Sequence, residues 1–467
     1  MAKQPNNGGR KSKSKSKRGL QMDNAPPSID HLDMINVHAA GIDIGDERHF
    51  VAVPDDRDAE CSVRSFGTFT ADLEAICDWL AQCGIETVAM ESTGVYWIPL
   101  FEMLESRGFK VIVCEASQIK KFRRKTDVLD CQWIQTLHCF GLLHGSFRPE
   151  DRILPLRGYM RQRDMLIKYC SDHVRHMQKA LQQMNIKLTK VVSDITGKTG
   201  MSIIRAILAG ERDPSTLAKF RDDRCKNDEA TIALSLQGNW REEHLLALRQ
   251  AVDLFEYYQE KMQEVDTEIE RYLASFEDKA DGQRKPTGKK RCRDHRTPQF
   301  DIRNSLYRMT GVDLTDIDGI GRHTALQIVS EIGHDMTAWD TEKHFVSWLS
   351  LCPELNLSGG SRKSRGSKTH ASKNRVATSL RVSAQALLKS KTALGAFGRR
   401  QRSKKGPAHA ITAVARKLAI IVYNMLKHGR AYVDRGQDYY EWQYQDRQRK
   451  SLVRRAHDLG YKLVPEN

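Results

Sequence analysis

No run of about 18 apolar residues occurs anywhere in this chain, so no membrane-spanning helix is expected. The N-terminus has no apolar signal core, which points to the cytoplasm. Ten cysteines are present, but no two are spaced Cys-x-x-Cys. The close group Cys131, His138 and Cys139 matches no common zinc site, so the thiols read as reduced and mostly buried. Acidic residues are missing from one long stretch. Between Glu354 and Asp434 there is no Asp or Glu, while the same 79 residues carry 18 Lys and Arg. Solvated faces mix signs. This segment alone exceeds the +16 of the whole chain, and it points to contact with a polyanion.

What is present divides the 467 residues into blocks. Residues 1–30, with "RKSKSKSKRG", form a basic tail that can bury nothing and serves at most as a loose electrostatic tether. Residues 31–150 alternate strand and helix signals. "AGIDIG" and "HFVAVP" read as a hairpin. Thr70 stands where a cap would precede the helix "ADLEAICDWLAQCG", with Gly84 after its end. "ETVAMES" and "KVIVCEA" read as strands, with a helix around "PLFEMLESRG" between them, and "VLDCQWIQTLHCFGLL" has helical spacing. In residues 151–277 two heptad seams stand out. Ile167, Val174, Leu181 and Leu188 interleave with Cys170, Met177 and Met184. Leu248, Phe255, Met262 and Ile269 interleave with Tyr258, Val265 and Tyr272. An antiparallel hairpin within the chain would pair these helices, as would a second copy. The segment is read as a dimerisation element, and residues 189–243 between the seams look like a helical insertion. Residues 278–300 form a charged linker, 301–435 a mainly α C-terminal domain, and 436–467 a tail helix.

A strand that ends in "GIDIG" delivers a carboxylate, Asp43, to a sheet edge. An actin-like ATPase and an RNase H-like nuclease both use that arrangement. The ATPase needs a second glycine-rich phosphate loop after a strand, and none is found. "DIDGIGRHTA" lies among helices instead and fits a helix-hairpin-helix, with Gly319 and Gly321 in a turn whose amides grip a DNA phosphate. Glu91 closes the strand "ETVAMES" about fifty residues on. Asp127 and Asp130 open a helix, where a spacing of three puts them on one face. Strand ends are where open α/β sheets place their ligands. Four carboxylates brought together repel unless cations occupy the cluster. Hard oxygen donors suit Mg²⁺, and two such ions serve phosphodiester chemistry. Each acid alone also has a bland explanation: Asp127 as a helix cap, Asp130 as a surface residue. The strength lies in their order. Lys120, Lys121, Arg123 and Arg124, just before Asp127, read as holders of a backbone phosphate near the metals. Tyr96 and Trp97 read as packing residues, with base stacking as the alternative.

With "GIDIG", "ESTGVYW" and "KTDVLD" in residues 36–150, and "IDGIGRHTALQIVSEIG" and "LSGGSRKSRGSKTHASKNR" in 314–400, the chain resembles a known family. It is similar to the insertion-sequence transposases of the one-ten family, which pair an RNase H-like (RuvC-like) DEDD domain with a C-terminal serine domain, and which include pilin-gene inverting recombinases. The resemblance places the four acids on Asp43, Glu91, Asp127 and Asp130, and the nucleophile on Ser358. Ser361, Ser364 and Ser367 stand as rivals. It implies a composite site in which the acids bind two Mg²⁺ ions and the serine forms a phosphoserine–DNA intermediate. Arg362, Lys363, Arg365, Lys368 and Lys373 would neutralise phosphate charge.

The resemblance also implies donor and target DNA, a structured guide RNA, a homodimer or tetramer, because recombination chemistry needs several copies, and a prokaryotic, nucleoid-associated location. Two readings compete with it. One is a Holliday-junction-type nuclease with water as nucleophile. The other is a non-catalytic nucleic-acid-binding protein on a dead nuclease fold.

Overall fold

The computed structural model describes residues 33–119, 126–280, 297–353, 369, 374–429, 432, 436–462 and 464. The basic tail of residues 1–30 lies outside them, as does most of the 278–300 linker. The chain divides into two compact units, with the break between Arg148 and Pro149.

The first unit is a five-stranded mixed sheet with helices. Its strands are β1 (Ala39–Ile44), β2 (His49–Ala52), β3 (Val63–Phe66), β4 (Thr87–Glu91) and β5 (Lys110–Cys114), in the order β3-β2-β1-β4-β5. β1 and β2 pair antiparallel, as the hairpin signal predicted, and β3, which the sequence reading did not include, adds antiparallel to β2, while β4 pairs parallel with β1 and β5 parallel with β4. This topology is compatible with an RNase H-like domain. Among the described residues four helices accompany it: α1 (Thr70–Gln82), α2 (Trp97–Ser106), α3 (Ala116–Ile119) and α4 (Asp127–Cys139).

Strand periodicity sorts the side chains onto two faces. Ala40, Ile42, Ile44, Val88 and Met90 bury against Leu73, Ile76 and Leu80 of α1 and Leu100 and Leu104 of α2. Ala89 and Cys114 bury on the other face, with Ile134 and Leu137 of α4. Thr70 is the first helical residue of α1 rather than its cap. The carboxylate of Asp72 instead accepts from the Phe69 N–H at 3.1 Å. Gly84 follows the helix at φ +64, a left-handed position that favours glycine.

His138, near the end of α4, is buried and meets Thr87 Oγ1 at 2.9 Å. Burial pushes its pKa down to about 4. Its folded pKa is below its unfolded value of about 6.5, so between these values the unfolded chain binds the extra proton. Stability is therefore full above pH 6.5 and declines as pH falls toward 4. The expected loss is up to about 3 kcal/mol, read as a shift in denaturant midpoint that His138→Gln flattens.

The second unit is helical. Its first part holds α5 (Leu154–Gln183), α6 (Leu188–Val191), α7 (Lys198–Leu208), α8 (Pro214–Ala218), α9 (Glu229–Ser235) and α10 (Glu242–Ala274). The two heptad seams face each other within the chain. Arg163 donates to Asp266 at 2.5 and 3.2 Å. The Tyr159 ring meets Tyr272, and the Tyr169 ring meets Tyr258. Partner numbers fall as numbers on α5 rise, so the pair is antiparallel. Leu188, assigned to the first seam from its spacing, lies beyond the end of α5 in α6, because the helix stops at Gln183. Helices α6 to α9 form the insertion.

The rest of the unit is α11 (Ile302–Thr310), a 3₁₀ turn (Leu314–Asp316), α12 (Arg322–Ile332), α13 (Glu342–Trp348), α14 (Arg375–Leu387), α15 (Ala393–Lys405), α16 (Pro407–His428) and α17 (Gly436–Asp458). Val414, Leu418 and Val422 of α16 are buried, as are Phe345 of α13 and Leu380 of α14. Among the described residues no helix is long and apolar enough to cross a membrane.

Candidate active site

The register of β1 and β4 sets the first two acids. Ile42 pairs with Met90, so Asp43 and Glu91 stand one step further along adjacent parallel strands. Ile42 and Met90 point toward α1 and α2. By alternation, Asp43 and Glu91 point to the opposite face, the α4 face.

Helix α4 supplies the other two. At Gly41, an added Cβ would come within 2.1 Å of the Gln135 nitrogen and 2.5 Å of the Cys131 carbonyl oxygen. The glycine therefore lets α4 lie directly on β1. Cys131 sits near Asp43, Gln135 near Gly41, and His138 near Thr87, whose strand partner is Ala39. α4 thus runs antiparallel to β1, and its first turn lies at the end of the sheet that carries Asp43 and Glu91. Asp127 and Asp130 are in that first turn. Spacings of three and four align them with Cys131 and Ile134 on the sheet-facing stripe. Burial pushes the Cys131 thiol up to about 12, and the charges of Asp43 and Asp130 add to the shift.

Asp127 does not cap α4. Thr126 does, its Oγ1 accepting from the Leu129 N–H at 3.3 Å. That frees the Asp127 carboxylate from the local role that sequence alone left open. The four acids are thus brought to one face and one sheet end. Among the described residues, however, no three His, Cys, Asp or Glu side chains stand grouped closely enough to hold a metal ion.

Trp97 packs edge-on against Phe101 at 5.6 Å, in line with the packing assignment, while Tyr96 is exposed. Lys120, Lys121, Arg123 and Arg124 lie outside the described residues, as do Ser358, its rivals Ser361, Ser364 and Ser367, and Arg362, Lys363, Arg365, Lys368 and Lys373.

In the second unit, Gly319 and Gly321 lie in the turn that enters α12. Gly319 has φ +84, and an added Cβ would meet Leu387 at 2.8 Å. Gly321 is extended, at φ −83, with open space where a Cβ would go. The turn borders a cleft of about 450 Å³ lined by Arg303, Thr315 and Arg322 among others. Arg303 is committed there to Asp313 at 2.5 Å and Asp316 at 2.9 Å.

The residue that spacing alone did not single out is Gly41. Its signal was present, a glycine two places before the strand acid, but which helix would press on it was not. Gly41→Ala is expected to destabilise the first unit by roughly 3 kcal/mol, the upper end for overpacking, because the clash is with backbone. Activity should fall further than stability, because α4 carries two of the acids. Denaturant unfolding measured beside strand-transfer assays checks this.

Two family models match the chain. One, for a DEDD-type transposase, covers residues 40–186, spanning all four acids. The other, described as the transposase IS116/IS110/IS902 family, covers residues 313–398. The protein is an enzyme of the DNA transposase/recombinase class. Within that class, the chain belongs to the IS110 family. No curated protein matches it.

Proposed function

We propose that the protein exchanges DNA strands at a composite site: the carboxylates Asp43, Glu91, Asp127 and Asp130 for divalent cations, and Ser358 as nucleophile. The observation that carries this reading is the delivery of four carboxylates, from two strands and one helix, to one end of one sheet face. The donor set is all hard oxygen, which fits Mg²⁺, and binding would draw in side chains that stand apart in this structure. A bound pair of ions would supply charge neutralisation at the phosphodiester and a lower serine pKa.

The chain's own residues do the rest. Ser358 Oγ forms a bond to phosphorus as the bond from phosphorus to the sugar oxygen breaks. The serine gives up its proton, and the departing sugar oxygen gains one. The hydroxyl of a second strand then displaces Ser358, so bond number is conserved and no external energy source is needed. Lys120, Lys121, Arg123 and Arg124, with Arg362, Lys363, Arg365, Lys368 and Lys373, are assigned to phosphates. The Gly319–Gly321 turn is assigned to a backbone phosphate at the N-terminus of α12. A structured RNA as guide, and assembly of two or four copies, belong to the same proposal.

The test is to trap a covalent protein–DNA adduct on a nicked suicide substrate. The adduct should form with the native chain and vanish with Ser358→Ala, while Ser361→Ala, Ser364→Ala and Ser367→Ala keep it. Metal-dependent cleavage by Ser358→Ala without an adduct would identify water as the nucleophile and sink the serine assignment.

A further inference from the structure

The acid-free segment between Glu354 and Asp434 satisfies several of its cations without carboxylates. The Arg400 guanidinium lies 3.4 Å from the centre of the Tyr444 ring and 5.5 Å from that of Tyr440. Lys404 Nζ lies 5.5 Å from the Tyr444 ring centre and donates to its hydroxyl at 3.3 Å. Lys427 lies over Tyr423 and donates to the carbonyls of Trp339 and Asp340, each at 2.9 Å. A ring face or a carbonyl holds an ammonium or guanidinium group in place but cancels none of its charge. Arg400, Lys404 and Lys427 are thereby held in place and keep their charge.

Tyr440 and Tyr444, four apart, use one face of α17 to grip α15. A different face carries Tyr439 and Trp442, three apart, with ring centres 6.0 Å from each other. Trp442 is 62% exposed and Tyr439 is 37% exposed. Two turns on, the same face presents Arg449 and Lys450, both ordered by Asp446 at 3.1 and 2.8 Å. Seven residues of helix separate Trp442 from Arg449 by about 10 Å. Two cations share the single Asp446 carboxylate, so one positive charge is left over, and an exposed indole on the same helix face gives the surface the chemistry that takes unpaired bases by stacking and their phosphates by charge.

We infer that the outer face of α17 binds an unpaired DNA strand, with a base on Trp442 and Tyr439 and phosphate on Arg449 and Lys450. This rests on the chain acting on DNA, because strand exchange is the step that exposes unpaired bases. It does not depend on the acidic site or on Ser358.

The test is fluorescence anisotropy of the full chain with a labelled single-stranded DNA, beside the duplex of the same sequence and the corresponding single-stranded RNA. Trp442→Ala is expected to weaken the single strand about tenfold and leave the duplex unchanged, with Trp442→Phe restoring most of the loss. Arg449→Gln is expected to weaken it and lower the salt slope by about one. Equal binding by Trp442→Ala, or an equal loss for single strand and duplex, would overturn the inference. So would a Trp442-dependent preference for the RNA, or a change in the free protein's sedimentation on Trp442→Ala, since that would place a second copy on this face. The anisotropy readout needs neither metal nor strand transfer, so a failure of the catalytic proposal leaves this result untouched, and the converse also holds.

Discussion

Asp43→Asn is expected to abolish metal-dependent strand transfer while leaving the fold intact. The substitution keeps the shape of a half-buried side chain at the end of β1 and removes one hard, charged donor from a site proposed to hold divalent cations. Lewis-acid stabilisation of a phosphodiester transition state contributes several kcal/mol, so the rate should fall by about 10³-fold or more. Folding stability without metal should hold steady or rise slightly, because four like charges at one sheet end repel. The thermodynamic signature differs from that of a simple loss of activity. Mg²⁺ at about 100 times its dissociation constant should stabilise the native chain by about 2.7 kcal/mol through mass action. Asp43→Asn should lose most of that gain. Ser358→Ala should keep all of it and still fail to join strands. Thermal unfolding with and without Mg²⁺, run beside a strand-transfer assay, separates the two halves of the composite site. An Asp43→Asn chain with native activity would remove the acids from the chemistry.

Much of the first unit was legible because its information is local. Strand alternation in "AGIDIG" and "TVAME", each with one acid toward its C-terminal end, fixes which face Asp43 and Glu91 take once the strands pair in parallel. A spacing of three fixes the face shared by Asp127 and Asp130. What was not legible depends on partners distant in the chain. β3, with the sequence "VRSF", is a four-residue edge strand with three half-buried side chains and an exposed Ser65, too short and too polar for its alternation to stand out. The heptad seams gave the buried stripes of α5 and α10 but not the partner, since a seam looks the same to its own chain and to a second copy. The buried Arg163–Asp266 pair is the feature that commits them to each other here. The grip of α17 on Arg400 and Lys404 spans some forty residues, and nothing in the spacing of either segment announces it.

Glu331→Ala is expected to cost about 3–5 kcal/mol, the range for removing one partner of a buried ionic group. Glu331 is 6% exposed and accepts from Arg157 at 2.7 Å, and from Arg161 at 3.1 and 2.9 Å. Arg375 Nε approaches it at 3.3 Å, and Arg375 also pairs with Asp164. Burial alone would push the Glu331 carboxyl up, but hydrogen bonds and charge from Arg161 and Arg157 outweigh it and hold the carboxyl below its ordinary value. A depressed folded pKa means this contribution is present above the unfolded value near 4.5 and is lost as pH falls below it. Removing the carboxylate leaves three guanidinium groups crowded together, and Arg157, already lowered by burial, is the worst placed to find water. The loss should therefore couple strongly to Arg157. In a double-mutant cycle, Arg157→Met should cost at least about 1 kcal/mol less in the Glu331→Ala background than in the native chain. The network joins α5 to α12 and to the first residue of α14, and the chain arrives at α14 from the segment that carries Ser358. Denaturant midpoints for the four chains of the cycle measure the coupling. An additive result would mean the arginines are held by solvent rather than by Glu331.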